Sequence, residues 1–210
     1  MAPFIHLTGY FLPLAKAFAN PESNYYHNLE LAKGIHKSLD FWLIHNFNIQ
    51  NWREPDIGIP MTLTDIFILM GTEVTYDEFL RGLNQMKGSF ITQTGQNKIW
   101  RAGIQLKIGS IAYGRGISNL ICEPQLQGHA RKQARNTSNV LLMYPPRSIG
   151  LASDTLKEDL LVQPNEGIQS DWSFHQHGMQ LQFGNYGVDY AFSHAEWSYI
   201  LNGRPFFSIP

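Results

Sequence analysis

His177 and Tyr186 are the two residues of this 210-residue chain best suited to do chemistry together. They lie nine positions apart, across a turn rich in glycine and glutamine. Gly178, Gly184 and Gly187 let the backbone bend tightly enough for both side chains to face one cleft. A neutral imidazole beside a phenol is an acid–base pair. The phenol, with an ordinary pKa of about 10, acts as a base only where donors or positive groups favour the phenolate, or where proton transfer is concerted. Taken alone, His177 also fits a blander role, as a histidine hydrogen-bonded inside a helical core. The surrounding stretch, Glu166 to Gly187, sets His175, Gln176, Gln180, Gln182 and Asn185 among Trp172, Phe174 and Phe183. Such a mixture reads as a lining, with polar groups held in a wall against which something binds. His175 and Gln176 fit a structural role as well as a functional one. The His175–x–His177 pair offers imidazoles to a metal but no matched third ligand, so no metal and no cofactor are expected.

Composition bounds what that wall can bind. Hydrophobic residues make up 43% of the chain and charged residues 16%, a globular balance able to bury a core. Aromatic residues at 13% suit either a helical core or flat stacking on sugar rings. A formal net charge of -1 leaves no electrostatic footprint for nucleic acid, so an anion site must be local. The single cysteine, Cys122, excludes an internal disulfide and a cysteine zinc cluster. No apolar run approaches the roughly 20 residues that span a bilayer, so no membrane partner is expected. The N-terminal stretch lacks a basic leader and is interrupted by Lys16, which favours an amphipathic helix over a signal peptide.

The elements that must position the wall read as helices. Residues 4–19 have helical periodicity, with Pro13 expected to kink or interrupt them. Residues 24–46 place Leu29, Leu31, Ile35, Leu39 and Trp42 mainly on one face. Asn51 to Pro60 reads as a loop, with Pro60 opening a helix that runs to Gly71. Thr75 and Glu78 form a capping box for a helix ending at Gly88. A polar loop then leads to a helix over about 98–114. Residues 118–150, with the basic cluster His129, Arg131, Lys132 and Arg135 and a Pro-Pro pair, read as an insertion or exposed excursion. Asn136-Thr137-Ser138 fits a glycosylation acceptor. A short helix over 152–162, one strand-like piece around 179–183 and a helix over 188–201 complete an all-α array of antiparallel hairpins.

The block EGIQ-x-D-W-S-F-x-Q-H-G-x-Q-x-Q-x-x-x-Y-G resembles the signature of polysaccharide lyase family 8, the chondroitin AC, hyaluronan and xanthan lyases. Two further matches follow the same order. Asn51-Trp52 with Ile57-Gly58-Ile59-Pro60 resembles the family's Asn-Trp-Trp…Ile-Gly-x-Pro segment, and Thr94-Gly95-Gln96-Asn97-Lys98 resembles its Thr-Gly-x-Asn loop. The resemblance implies an incomplete α/α toroid of antiparallel helical hairpins with a long open cleft. It also implies β-elimination at a uronic acid of an acidic polysaccharide such as chondroitin, hyaluronan or xanthan. On that reading Asn97 and His177 engage the uronate carboxylate, and Tyr186 removes the C5 proton and protonates the leaving O4. Asn51 and Trp52 match the segment whose aromatic patch stacks on sugar rings. Arg53 stands where the family has a second tryptophan and could meet a sulfate or carboxylate instead. Gln180 and Asn185 support the turn or touch sugar hydroxyls.

The family's arginines, a supporting glutamate and a C-terminal β-sandwich come from segments after Pro210. On that resemblance its first hairpins are expected before Met1. The expectation is therefore one partial toroid domain over 1–210, truncated at both ends, from a monomeric enzyme that works outside the cell or in the periplasm. Two other readings stand beside it. One is a non-catalytic carbohydrate-binding or degenerate helical toroid. The other is a helical-toroid glycosidase, which needs paired carboxylates and finds only Asp171 and Asp189 in this stretch.

Overall fold

A computed structural model describes residues 6–45, 47, 49–86, 89, 91, 93–116 and 145–204. The expected 118–150 excursion, the basic cluster, the Asn136 triplet and Cys122 lie outside these residues, apart from the segment's last six positions. The chain divides into two compact units, Met1–Ser89 and Phe90–Pro210.

The first unit is helical throughout. A π-helical turn, Leu7–Phe11, runs into α1, Leu12–Ala19. Pro13 interrupts nothing. It falls in the first turn of α1, where its missing N–H leaves no bond unmade and the wider turn precedes it. Helix α2, Leu29–Ile44, starts later than its periodicity suggested, because the Asn28 side chain accepts from the Leu31 N–H and caps it there. Leu29 therefore sits at the first helical position, largely exposed, while Ile35, Leu39 and Trp42 are buried. The segment read as a loop at 51–60 is mostly helical. Glu54–Gly58 forms a π-helical turn that continues into α3, Ile59–Met70. Pro55 and Pro60 both fall at helix-opening positions, and Ile57 is fully buried, so tertiary packing overrides the loop composition. The chain reverses at Gly71, whose φ of 55° suits glycine.

The capping box at Thr75–Glu78 is present in full and starts α4, Tyr76–Gln85. This helix ends before the expected Gly88, which lies outside the described residues. Helix α1 packs on α3, and α2 on α4, around Leu7, Phe18, Leu39, Leu63, Phe67 and Phe79.

The second unit is built on α5, Gly95–Gly114, against which α6, Pro145–Asp159, and α7, Val188–Leu201, pack. Thirteen of the twenty residues of α5 are buried, so it is a central helix rather than one with a solvent face. Its core partners include Leu156, Phe174, Tyr190, Trp197 and Leu201. Gly103 permits the approach of α7, since a Cβ there would stand 2.6 Å from the Trp197 ring. Helix α5 begins three residues before the expected 98, which moves Asn97 from a loop into a helical first turn. Helix α6 begins at Pro145 rather than 152, with the Pro-Pro pair at its opening, where proline fits. The single expected strand is in fact a small antiparallel sheet. Strands β1, Gly167–Ile168, β2, Phe174–Gln176, and β3, Gln180–Leu181, lie in that order. Strands of two or three residues are too short to show alternation in a sequence.

Candidate functional site

Strand β2 is the axis of the site. It pairs Gly167 with His175 and Ile168 with Phe174 on one side, and His175 with Leu181 and Gln176 with Gln180 on the other. Alternation along it buries Phe174 and Gln176 and leaves His175 half-covered. The register leaves His177, Gly178 and Met179 as the hairpin loop between β2 and β3. His177 has φ of 57° and Gly178 of 77°, so two consecutive left-handed residues close the loop. Glycine takes that conformation freely, but histidine does so only where its surroundings hold it.

Those surroundings centre on Glu166. One carboxylate oxygen accepts the Gly178 N–H at 2.7 Å. The other accepts the Thr94 hydroxyl at 2.5 Å and the Gln176 Nε2 at 2.6 Å. The Gln176 Oε1 in turn accepts the Gln96 N–H, at the first turn of α5, at 2.8 Å. Gly95 must be glycine for this to close. Its φ is 54°, and a Cβ would stand 2.1 Å from the Gln176 Oε1. The Thr94 hydroxyl is thereby drawn away from capping α5, and the buried Gln176 takes over one of the helix's unpaired N–H groups.

Two of the catalytic candidates, His177 and Tyr186, meet beside this clamp. The His177 and Tyr186 rings lie 5.0 Å apart between centroids and nearly perpendicular, at 79°. Tyr186 belongs to a π-helical turn, Phe183–Gly187, that leads directly into α7. Gly187 lets this turn close, because a Cβ there would press on the Gln182 carbonyl at 2.8 Å and reach the Phe174 ring at 3.4 Å. The other flank of Tyr186 meets Trp100 of α5, with centroids 6.2 Å apart. Trp100 is one helical turn beyond Asn97, which is buried, its Oδ1 accepting no hydrogen bond among the described residues. A buried carboxamide oxygen without a donor is costly in a finished core. Asn97, Arg101 and Gln105 follow one another at four-residue spacing and are all buried, so they form a polar stripe along α5. That spacing is visible in the sequence, but the apolar residues between them disguised it as ordinary core helix.

The remaining candidates differ in setting. Gln180 is exposed and accepts from the Gln182 Nε2 at 3.3 Å. Asn185 turns its Oδ1 back to the Tyr186 N–H at 2.6 Å, which supports the turn. Asn51, Trp52 and Arg53 belong to the first unit. The Asn51 Oδ1 accepts the Arg53 N–H at 3.1 Å, capping the helical path that follows. Trp52 is exposed and Arg53 partly so. In the β1–β2 turn, the Ser173 hydroxyl donates to Asp171 at 2.7 Å and lies 3.1 Å from the His175 Nε2. Hydrogen bonds from the Ser173 hydroxyl and backbone N–H hold the Asp171 carboxyl below its usual range. With its proton committed to Asp171, Ser173 faces His175 as an acceptor, so the trio locks a turn and does not activate a nucleophile. Among the described residues, no three His, Cys, Asp or Glu side chains are grouped to hold a metal.

Comparison with known proteins finds similar sequences and a similar fold. Residues 10–110 match the N-terminal alpha-helical domain of polysaccharide lyase family 8. The chain is 25% identical over 179 residues to chondroitinase-AC of Pedobacter heparinus, covering 83% of this chain and 21% of that protein. It is 24% identical over 198 residues to a xanthan lyase of a Bacillus species, covering 90% of this chain and 18% of that one. A solved chondroitinase AC lyase, studied with bound oligosaccharides, superposes over 97% of this chain and 26% of its own, with a TM-score of 0.73 at 21% identity. The fold is thus part of an all-α, α/α toroid. The chain is similar to members of polysaccharide lyase family 8. It spans about a fifth of the length of the curated relatives it matches.

Proposed function

We propose that this chain carries one wall of a lyase site that cleaves an acidic, uronate-containing polysaccharide by β-elimination. The observation that carries the reading is the edge-on approach of His177 to Tyr186 at 5.0 Å, with Trp100 linking Tyr186 to the first turn of α5, where Asn97 is buried. The proton at C5 of a uronate is weakly acidic, because its loss adds a second negative charge beside an ionised carboxylate. Asn97 and His177 lower that barrier by donating hydrogen bonds to the carboxylate as the enolate-like charge develops. Tyr186 takes the C5 proton. The electron pair of the C5–H bond becomes the C4–C5 double bond, and the C4–O4 bond breaks. The same phenol then returns the proton to O4, so one group serves as base and acid. The products are a new reducing end and a chain ending in a 4,5-unsaturated uronate, with no water and no metal consumed. Asn51, Trp52, Arg53, Gln180 and Asn185 complete the proposal as sugar contacts, with Trp52 as a stacking surface. A polymeric substrate of this kind lies outside cells, which assigns the enzyme an extracellular or periplasmic place.

The test is incubation with chondroitin, hyaluronan or xanthan while following the ultraviolet absorbance of the unsaturated uronate. Product formation that disappears in Tyr186→Phe, with the melting temperature kept, is the expected outcome. Polymer binding without any absorbance change, unaffected by that substitution, would instead favour a non-catalytic carbohydrate-binding protein.

A further inference from the structure

We propose that Glu166 and Gln176 are positioning residues for this reaction, a clamp that fixes the His177 loop to the start of α5 and so sets His177 and Asn97 against one carboxylate. The inference rests on the lyase reading for its purpose, but its geometry stands apart from it. The two groups proposed to hold the uronate come from elements 80 residues apart, a hairpin loop and a helix terminus. Neither is rigid alone. A three-residue loop closed by left-handed residues at 177 and 178 needs external support. The first turn of a helix frays unless its N–H groups are taken up.

Glu166 answers both needs with one carboxylate. Its Oε1 holds the loop through the Gly178 N–H at 2.7 Å. Its Oε2 holds the helix side through the Thr94 hydroxyl at 2.5 Å, and Gln176 at 2.6 Å. Gln176 carries the connection on to the Gln96 N–H at 2.8 Å, next to Asn97. All three partners of Glu166 are donors, and only a group with two acceptor oxygens satisfies them together. The choice of Gly95 fits the same purpose, since any side chain there would push Gln176 out of the ring. Strict geometry between the two uronate donors matters because a displacement of about 1 Å in such groups costs on the order of 100-fold in rate.

Glu166→Gln tests the clamp. The substitution keeps the shape and replaces one acceptor oxygen with a donor, set against donors. Backbone amide shifts of the full chain, read by NMR without substrate, are expected to move together at Gly178 and Gln96, with the Asn97 side-chain amide following. In turnover, kcat per folded molecule is expected to fall roughly 10- to 100-fold with KM within about threefold. Thr94→Val, which removes one exposed donor and spares the loop side, is expected to give a smaller loss of the same kind. It also provides a second reading should Glu166→Gln fold poorly. Shifts confined to Gly178, or a fall in melting temperature with kcat per folded molecule unchanged, would overturn the proposal and leave Glu166 a purely structural residue. A wild-type chain that forms no unsaturated product would defeat the lyase reading instead, and the coupled amide shifts would still decide whether the clamp exists.

Discussion

His177 carries its imidazole on a backbone that its own Cβ disfavours, with φ of 57°. Residues held in this way store of order 1 kcal/mol or more, and natural sequences keep them where function needs the side chain in that place. His177→Gly is therefore expected to raise stability by up to about 1 kcal/mol while removing product formation. Parallel melts and absorbance assays check it, and an active glycine variant would remove His177 from the chemistry. Tyr186 is the sharper case, because Tyr186→Phe deletes one oxygen and keeps the ring that packs against Trp100 and His177. The pairing of His177 with Tyr186 was legible from spacing and from the glycines between them. Glu166 was not. In the sequence it is one carboxylate at the edge of a polar stretch, and its three donors come from positions 94, 176 and 178. Nothing local marks a residue whose partners are fixed by a sheet register and a helix terminus.

The elements were legible in proportion to how locally their ends are specified. The capping box at Thr75–Glu78 and the bounds of α7 at 188 and 201 are local chemistry, and both stand where the sequence put them. The starts of α5 and α6, and the helical character of 54–58, depend on distant packing and moved by several residues. Helix α5 shows why. Its polar first turn, Gly95-Gln96-Asn97, looks like a loop until Gln176 supplies an acceptor for the Gln96 N–H. The packing of α5 on α7 turns on one glycine. Gly103→Ala would put a methyl 2.6 Å from the Trp197 ring, and is expected to destabilise the second unit by about 1–3 kcal/mol. A melt of the variant beside a Trp197→Leu, Gly103→Ala double variant checks it, since the double variant should recover part of the loss. A buried tyrosine adds a pH dependence to the same unit. Burial, followed by the charge of Asp159, raises the Tyr190 phenol well above its usual range, and its hydroxyl donates to the Asp159 carbonyl. Above about pH 10 the unfolded chain releases this proton while the folded one retains it. Stability is therefore expected to fall as pH rises, by up to about 1.4 kcal/mol per pH unit. Denaturation between pH 9 and 11 reads the slope, which Tyr190→Phe should flatten.

At the scale of the molecule, each of the two units holds its own share of the proposed machinery. The second contains Asn97, His177 and Tyr186, together with the clamp. The first contains Asn51, Trp52 and Arg53, with Trp52 exposed at 46% and so open to a partner. If Trp52 stacks on sugar, Trp52→Ala should raise KM for the polymer roughly 3- to 10-fold and leave kcat nearly unchanged, the size expected for one lost aromatic contact. Equal KM values for the two forms would return Trp52 to a purely surface role. Among the described residues, no helix is long and apolar enough to cross a membrane.

The sequence by itself determined the all-helical class, the resemblance to polysaccharide lyase family 8 and the three residues on which the chemistry is proposed to rest. Each of these is written in short segments, in periodicity, caps and the order of Asn-Trp, Thr-Gly-x-Asn and Gln-His-Gly…Tyr-Gly. Only the tertiary structure decided how those residues are held. It decided that Asn97 sits in a helix rather than a loop, that Trp100 joins it to Tyr186, and that His177 occupies a left-handed loop position. It also brought Glu166 and Gln176 between the hairpin and α5. A hydrogen-bond ring closing over 80 residues depends on register and approach distance, and a linear chain records neither. The stretch that looked like a polar wall is thus a strained loop tied by one carboxylate to the helix that faces it.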